Sequence, residues 1–248
     1  MTIVSHKHRF IFVCPRKVAG TSIRLSLAQS CVADDTIVGG ETFRPGVDAD
    51  DYAALRERNA HGYSTPHTLP DDVRRKVGER VWNDYFKFTV VRNPWDLFVS
   101  LYCYKFAVDW PNLVRDAGGV LHRGGLGNAR AHLNLRRARR RFLRGRHREG
   151  IEFVLGRGLF ARVVDEIPAF CFSRGEPFAD RYLRFENLQD DYDEVCRLLR
   201  LPRRALIRTK TGVRDKGRPY RDYYTGYSRD FIARRCAAMA DAFGYRFD

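Results

Sequence analysis

The segment Pro15–Ser22 has the composition that an anion-binding loop requires. It reads Pro-Arg-Lys-Val-Ala-Gly-Thr-Ser and lies between a short apolar run and a helical pattern. Small residues let the backbone close around an anion, the N–H groups of a helix start point at it, and Lys17 adds a mobile positive charge. The segment therefore predicts a phosphate site. The alternative is that Gly20 only permits a tight turn and that Thr21 or Ser22 only caps the helix.

The order of residues in this loop is not that of the Walker motif. The lysine precedes the glycine here, whereas the Walker lysine follows it. The loop therefore argues against a standard ATP or GTP hydrolase.

A second candidate site lies at residues 92–96, which read Arg-Asn-Pro-Trp-Asp and directly follow a β-rich run. The planar fork of Arg92 and the hydroxyl of Ser100, one helical turn beyond Asp96, could clamp another phosphate. The alternative is a surface ion pair between Arg92 and Asp96, which would contribute little. Two loops suited to anions after two strands favour the phosphate interpretation.

The hydrophobic pattern predicts the elements that position these loops. Arg9 to Cys14 is a short apolar run, and Gly20 to Gln29 has apolar residues at helical spacing. Tyr85 to Val91 is a second β-rich run, followed by Asn93 as a helix cap and Pro94 as the first helical position. Strand, loop and helix therefore occur twice.

Further elements extend this alternation. Asp71 to Trp82 is a predicted helix with Pro70 at its start, because valines recur at four-residue intervals. A weaker third copy comprises a strand over Arg181 to Phe185 and a helix that Asn187 caps and that runs through Leu199. Asp230 to Phe243 is a predicted closing helix.

Alternating strands and helices indicate an α/β fold. The expected architecture is a mostly parallel central sheet covered by helices on both faces, with a ligand crevice beyond the carboxyl ends of the strands. Both candidate loops lie at such strand ends.

The two loops resemble the nucleotide-binding motifs of the carbohydrate-type sulfotransferases. Residues 17–22 are similar to the family's 5′-phosphosulfate loop, and residues 86–96 with 100–102 are similar to its 3′-phosphate motif. Three later blocks resemble later family motifs in the same order: Leu183–Leu188, Tyr220–Tyr224 and Phe243–Phe247. Where the family has Pro-Lys-Thr this chain has Arg16-Lys17-Val18, so one hydroxyl donor is missing and one extra cation is present.

The resemblance also implies a domain organisation. It covers most of the chain except about residues 107–150. We therefore expect a single domain over residues 1–248, with a three-layer fold like that of the P-loop kinases and a basic variable insert at about 107–150.

The activity that the resemblance implies is sulfuryl transfer from 3′-phosphoadenosine 5′-phosphosulfate (PAPS) to a hydroxyl or amine, without a metal ion. Charge grows on the bridging oxygen as sulfur leaves the 5′-phosphate, and the resemblance places Lys17 there. Backbone N–H groups of the loop would hold the 5′-phosphate, and Arg92 with Ser100 would hold the 3′-phosphate. Lys216 and Arg218 either approach the 3′ end or form an ordinary solvated charge run. The implied nucleotide-binding set is Arg16, Lys17, Ala19, Gly20, Thr21, Ser22, Arg92, Ser100, Lys216 and Arg218.

A general base is needed for a hydroxyl acceptor, and histidine is the usual one. Of the seven histidines, His61 and His67 lie in the loop before the helix that starts near Asp71. The family's histidine lies a few residues before this helix, which favours His67 over His61. The alternative for each is a loop histidine satisfied by backbone or water.

The composition fits one soluble globular domain. The 248 residues are 44% hydrophobic and 30% charged, which excludes disordered, collagen-like and fibrous classes. No apolar run reaches the roughly 20 residues of a membrane span, and charged residues interrupt the start, so a cytoplasmic location is expected. The six cysteines are scattered singly, which predicts buried thiols and not a zinc site or a disulfide framework.

The positive charge is concentrated in the basic insert. Lysine and arginine outnumber acids by 45 to 30, and ten arginines with no acid lie between Ala117 and Arg148. Asn134 to Arg144 is a predicted helix with a thin apolar edge of Leu135, Ala138 and Phe142. The insert either recognises an anionic acceptor, such as a sulfated or carboxylated glycan or a phosphorylated metabolite, or is solvated surface. Nucleic-acid binding is disfavoured, because Phe142 is the one Phe, Tyr or Trp in this stretch.

Two other functions stay open from the residues alone. A nucleotide-dependent kinase of similar fold would need Mg²⁺ and carboxylates at a strand end, but no strong acidic motif follows either strand. A non-catalytic polyanion-binding protein built on the insert would keep its ligand after loss of Lys17. The sulfotransferase interpretation uses both loops, and its expected partners are a nucleotide donor and a hydroxyl-bearing acceptor.

Overall fold

The computed structural model describes residues 2–32, 34–37, 67–119, 125–207, 213–215 and 217–248, and the side chains of 115–119 and 125–129 are also left out. In these ranges the strands are β1 (Thr2–Ser5), β2 (Phe10–Val13), β3 (Thr36–Ile37), β4 (Phe86–Val91), β5 (Phe172–Ser173), β6 (Glu176–Pro177) and β7 (Arg181–Arg184).

The α-helices of the same ranges follow in chain order. They are α1 (Gly20–Ala28), α2 (Pro70–Asp84), α3 (Pro94–Ala107), α4 (Trp110–Gly119), α5 (Gly125–Leu143), α6 (His147–Gly156), α7 (Ala161–Ala169), α8 (Leu188–Leu198), α9 (Gly226–Arg235) and α10 (Ala237–Phe243). None of these described helices is both long enough and apolar enough to cross a membrane.

The chain divides into two compact units. The first comprises Met1–Arg92 and Ala169–Thr209, and the second comprises Asn93–Pro168 and Lys210–Asp248.

The first unit contains a five-stranded sheet in the order β3-β1-β2-β4-β7. β2 pairs with β4 and β4 with β7 in parallel, whereas β1 pairs antiparallel with both β2 and β3. The prediction of a mostly parallel sheet was therefore wrong, and the sheet is mixed. The reason is β1, because a turn of four residues joins it to β2 and so short a connection permits only an antiparallel hairpin.

The sheet supports the first candidate loop through its core on both faces. Ile11 and Val13 of β2 pack with Val73 and Trp82 of α2 in one buried cluster. Phe12 lies on the opposite face, because successive strand residues alternate, and its ring centroid is 5.0 Å from that of Phe88. The strand that leads into the loop is thus held by apolar contacts on both sides.

Several predicted elements of this unit are confirmed. α2 starts at Pro70 as expected and extends two residues beyond Trp82, with a break at Gly78, where φ is +81°. β7 and α8 form the predicted third strand and helix. Asn187 occupies the N-cap position of α8 but makes no cap hydrogen bond within the described residues, and its Nδ2 donates to Asp191 Oδ1 at 3.2 Å instead.

The second unit is helical. The predicted helix over 134–144 is part of the longer α5, and its apolar edge is confirmed, because Leu135 and Ala138 are buried and Phe142 is half-buried. The predicted closing helix consists of two helices, α9 and α10, which meet at Cys236. The prediction that the cysteines are buried thiols is confirmed for five of the six, and Cys31 is half-exposed. All six thiols are free.

Candidate active site

The loop between β2 and α1 has an unusual backbone. Lys17 and Ala19 both have positive φ angles, 60° and 58°, although neither is a glycine. A left-handed conformation costs a residue with a Cβ roughly 1–2 kcal/mol. Such backbone strain persists where the surrounding structure enforces it, and it is concentrated at ligand-binding sites.

The start of α1 faces this loop with its amide groups. Ala19 is the N-cap residue, and its carbonyl accepts hydrogen bonds from the amides of Ser22 at 2.9 Å and Ile23 at 3.3 Å. Within the described residues no side chain caps this helix, and its first turn contains no acid. A helix start of this kind carries a partial positive charge and suits an anion.

Arg92, the first residue of the second candidate site, contacts the first candidate loop within the first unit. Its Nη1 donates to the main-chain carbonyl of Lys17 at 2.6 Å, and its guanidinium lies 3.9 Å from the ring centroid of Phe185. Arg92 is 7% exposed. The contact is possible because β2 and β4 are neighbouring parallel strands, whose carboxyl ends meet at one edge of the sheet.

His67 approaches the same loop from the segment before α2. Its Nδ1 lies 3.1 Å from the carbonyl oxygen of Cys14, the residue that precedes Pro15. A carbonyl only accepts hydrogen bonds, so Nδ1 carries the proton, and in the neutral ring Nε2 carries the lone pair. Burial raises the pKa of the Cys14 thiol, which keeps this neighbouring group protonated. His61, the other predicted base, lies outside the described residues.

In the second unit, the start of α3 matches its prediction. Asn93 Oδ1 accepts from the amides of Trp95 at 3.1 Å and Asp96 at 3.3 Å, and Pro94 is the first helical residue. Asp96 forms an ion pair with Arg214. Ser100 lies half-exposed on α3.

The segment before the Tyr223-Tyr224 block forms an open cavity in the second unit. Arg218 stacks 4.6 Å above the ring of Tyr223, and its Nη2 donates to the carbonyl of Asp222 at 3.0 Å. The cavity measures about 590 Å³ and is lined by Arg148, Asp215, Gly217, Arg218, Arg221 and Asp222. Lys216 lies outside the described residues.

The structure adds groups that sequence reasoning missed. Phe185, under the guanidinium of Arg92, belongs to a motif block, but nothing in the sequence pairs it with Arg92. The carbonyl of Cys14 has no sequence signal at all, since every residue has one. Arg214 precedes Lys216 and Arg218 in the same charge run and could have been grouped with them. Arg16 is half-buried in the loop.

The described residues offer no ready metal site. In these ranges no three His, Cys, Asp or Glu side chains come together where a metal ion could bind.

The chain matches the model of a known protein family. The model of the family described as "Sulfotransferase family" matches residues 1–148, which include the β2–α1 loop, His67, Arg92 and the start of α3. Comparisons with curated proteins and with solved structures found no match. Because the family model covers more than half of the sequence and contains both candidate loops, the chain belongs to the sulfotransferase family.

Proposed function

We propose that this chain is a PAPS-dependent sulfotransferase that transfers a sulfuryl group to a hydroxyl or amine of a carbohydrate or small-molecule acceptor. The observation that carries the proposal is the contact between Arg92 and the Lys17 loop. It brings the side chains expected at the two ends of one nucleotide to neighbouring strand ends.

The loop fits a nucleotide 5′-phosphate. Left-handed residues at 17 and 19 curve the backbone ahead of α1, and the helix start has no acid that would repel an anion. The amides of Gly20 and Thr21 would hold the phosphate, with Arg16 and Ala19 completing the loop. The amide of Ser22 donates to the Ala19 carbonyl, so Ser22 would contribute through its side chain. Thr21 and Ser22 are both buried, and their hydroxyl groups would add hydrogen-bond donors for the phosphate.

We propose Arg92 and Ser100 as the residues that bind the 3′-phosphate, and Lys216 and Arg218 as the further cations that the family resemblance implies. The Lys17 carbonyl takes one of the five guanidinium donors of Arg92. The stack on Phe185 holds the guanidinium plane in one orientation. A fixed plane of this kind suits bidentate binding of a phosphate.

Transfer needs a cation at the leaving group and a base at the acceptor. Bound PAPS supplies the sulfuryl group, whose bond from sulfur to the 5′-phosphate oxygen breaks as the acceptor oxygen bonds to sulfur. The Lys17 ammonium would stabilise the charge that grows on that phosphate oxygen. His67 Nε2 would take the acceptor proton, because the Cys14 carbonyl holds the other ring nitrogen protonated. The products are the sulfated acceptor and adenosine 3′,5′-bisphosphate.

We also propose a three-layer fold like that of the P-loop kinases. Parallel pairing of β2, β4 and β7 supports a core like that of the P-loop kinases, and we keep a single domain over residues 1–248 as part of the proposal.

The deciding experiment is a calorimetric titration with adenosine 3′,5′-bisphosphate, compared with ATP plus Mg²⁺. We expect the bisphosphate to bind in a metal-independent way and ATP plus Mg²⁺ to bind weakly. Binding of ATP in preference to the bisphosphate would support a kinase and overturn the proposal. Transfer of labelled sulfate from PAPS to a panel of glycans and small hydroxyl compounds then identifies the acceptor class.

A further inference from the structure

The segment Tyr245–Asp248 packs against the start of α3 in the second unit. It follows α10 and Gly244, whose φ of +69° is a left-handed conformation that favours glycine. The amide of Tyr245 donates to the carbonyl of Ala240 at 2.9 Å, and this bond holds the turn in place. The chain beyond the turn then runs to the first residues of α3.

Phe247 is the centre of this contact. Its ring centroid lies 5.6 Å from that of Trp95, 5.6 Å from that of Tyr220 and 5.5 Å from that of Tyr224, with interplanar angles of 72°, 84° and 89°. Such edge-to-face geometry is a favoured arrangement of aromatic pairs. Trp95 belongs to α3, and the two tyrosines belong to the block that follows Arg218. One half-buried ring therefore joins two elements.

The side chain of Asn93 is held at both ends. Its Oδ1 caps α3, and its Nδ2 donates to the carbonyl of Arg246 at 3.1 Å and to the hydroxyl of Tyr220 at 3.5 Å. The Tyr220 hydroxyl in turn donates to the carbonyl of Asp248 at 3.0 Å. An amide accepts at its oxygen and donates at its nitrogen, so Asn93 can cap the helix and bind residues 245–248 at the same time.

The tyrosine block is also hydrogen-bonded to α3 directly. The Tyr224 hydroxyl donates to the main-chain carbonyl of Trp95 at 2.8 Å. Burial raises the pKa of Tyr224 well above its ordinary value, which keeps this donor protonated. Ser100 lies on α3, and Arg218 lies two residues before the block. Phe247 therefore links the elements that carry these two residues.

We propose that Phe247 is a positioning residue for the 3′-phosphate and acts through Asn93 and the first turn of α3. The inference rests on the proposed sulfotransferase function, which assigns Ser100 and Arg218 to the nucleotide. Phe247 itself does not touch the nucleotide but holds α3 and the Arg218 segment in one arrangement. Groups held in their binding arrangement bind a phosphate more tightly, because less order has to be created on binding.

Selectivity for the 3′-phosphate tests the proposal. It is measured by isothermal titration as the ratio of the affinities for adenosine 3′,5′-bisphosphate and adenosine 5′-monophosphate. Phe247→Leu stays apolar but loses three edge contacts, each worth roughly two- to tenfold in an equilibrium constant. We expect it to bind the bisphosphate about tenfold more weakly and the monophosphate within about twofold of wild type. Phe247→Tyr keeps the ring and should bind both nucleotides as wild type does.

Asn93→Ser tests the path through Asn93. Serine caps a helix about as well as asparagine but has no amide donor for the Arg246 carbonyl. We expect this variant to lose about as much bisphosphate affinity as Phe247→Leu. The double variant should lose at most about twofold more than either, because both changes break one contact. The control is Phe231→Leu, which removes a half-buried ring of α9 in the same unit and should leave both affinities unchanged.

The outcomes separate this inference from the proposed function. If wild-type protein does not prefer the bisphosphate to the monophosphate, the proposed function fails and this inference fails with it. If wild type has the preference and Phe247→Leu keeps it, the positioning role alone is wrong. Equal weakening of both nucleotides would show a general loss of structure and would also overturn the role. Should Phe247→Leu not fold, wild-type selectivity in Asn93→Ser would overturn it instead. Additive losses in the double variant would contradict action through Asn93.

Discussion

The guanidinium of Arg92 donates a hydrogen bond to the main-chain carbonyl of Lys17, 75 residues earlier in the chain, at 2.6 Å. Arg92 ends β4 and Lys17 lies in the loop after β2, so the bond joins the ends of two neighbouring parallel strands. Because Arg92 holds the main chain at Lys17, it also fixes the position of the Lys17 Cα, from which the side chain extends. The hydrogen bond therefore links the position of the residue proposed to bind the 3′-phosphate to that of the proposed catalytic lysine.

Loss of the Lys17 ammonium should mainly affect the chemical step. We expect Lys17→Ala to lower kcat by about 10²–10³, because a preorganised charge at a developing anion is worth roughly 3–4 kcal/mol. Initial rates with PAPS measure this. Lys7→Ala is the control, since Lys7 is an exposed lysine in the turn between β1 and β2. A Lys17→Ala protein with wild-type kcat would remove Lys17 from the mechanism.

The planar shape of Arg92 should matter as well as its charge. Lysine cannot stack flat on Phe185 or present two parallel N–H donors in one plane, so Arg92→Lys should bind adenosine 3′,5′-bisphosphate about tenfold more weakly, and Arg92→Ala weaker still. Phe185→Leu keeps an apolar contact but removes the ring face, and should cost about 1 kcal/mol of binding. Isothermal titration measures all three. Wild-type affinity in Arg92→Lys would show that the charge alone is sufficient.

Loss of His67, the proposed base, should lower kcat without weakening nucleotide binding. His67→Ala should lower kcat by about 10²–10⁴ while the bisphosphate affinity stays close to wild type. The same change at His61 should leave kcat nearly unaffected. Full turnover in His67→Ala would move the base to another residue, and a large loss in His61→Ala would identify His61.

Two asparagines at helix starts should differ in their effect on stability. Asn93→Ala should lower the free energy of unfolding by about 1 kcal/mol, because its side chain caps two amides of α3. Asn187→Ala should cost only a few tenths of that value, since its side chain makes no cap bond in the described structure. Urea denaturation compares the pair. Equal losses would contradict the difference in capping.

Protonation of His147 should reduce stability at low pH. Its ring stacks on Tyr223 at 5.2 Å and lies near Tyr102 and Phe142. Burial, and then the charge of Arg218, lower the pKa of His147, with Asp215 opposing the shift. Below the ordinary histidine pKa of about 6.5 the unfolded chain takes up the proton first, so stability falls as pH drops from about 7 through the folded-state pKa and then levels off.

Replacing the ring tests this pH dependence. His147→Phe keeps an aromatic ring and should lose this part of the stability change between about pH 7 and about pH 5. His132→Gln is the control, because this half-exposed histidine makes no ring contact among the described residues. An unaltered pH profile in His147→Phe would assign the acid sensitivity to other groups.

Local signals explain which elements could be predicted. Pro94 after Asn93, and Pro70 before the valine pattern of α2, act within one helical turn and marked both helix starts correctly. β1 was missed because it has four residues with polar ends, and a strand of that length carries too little pattern. That one hairpin changed the expected sheet from mostly parallel to mixed.

The sequence by itself determined the family, the places of both candidate loops after their strands and the apolar edge of α5, because these depend on residue types within a few positions of one another. Only the tertiary structure decided that Arg92 donates a hydrogen bond to the Lys17 carbonyl while its guanidinium stacks on the ring of Phe185. It also decided that the carbonyl of Cys14, 53 residues away, accepts a hydrogen bond from Nδ1 of His67. Such contacts depend on strand order and on the path of the backbone, which residues distant in sequence determine together.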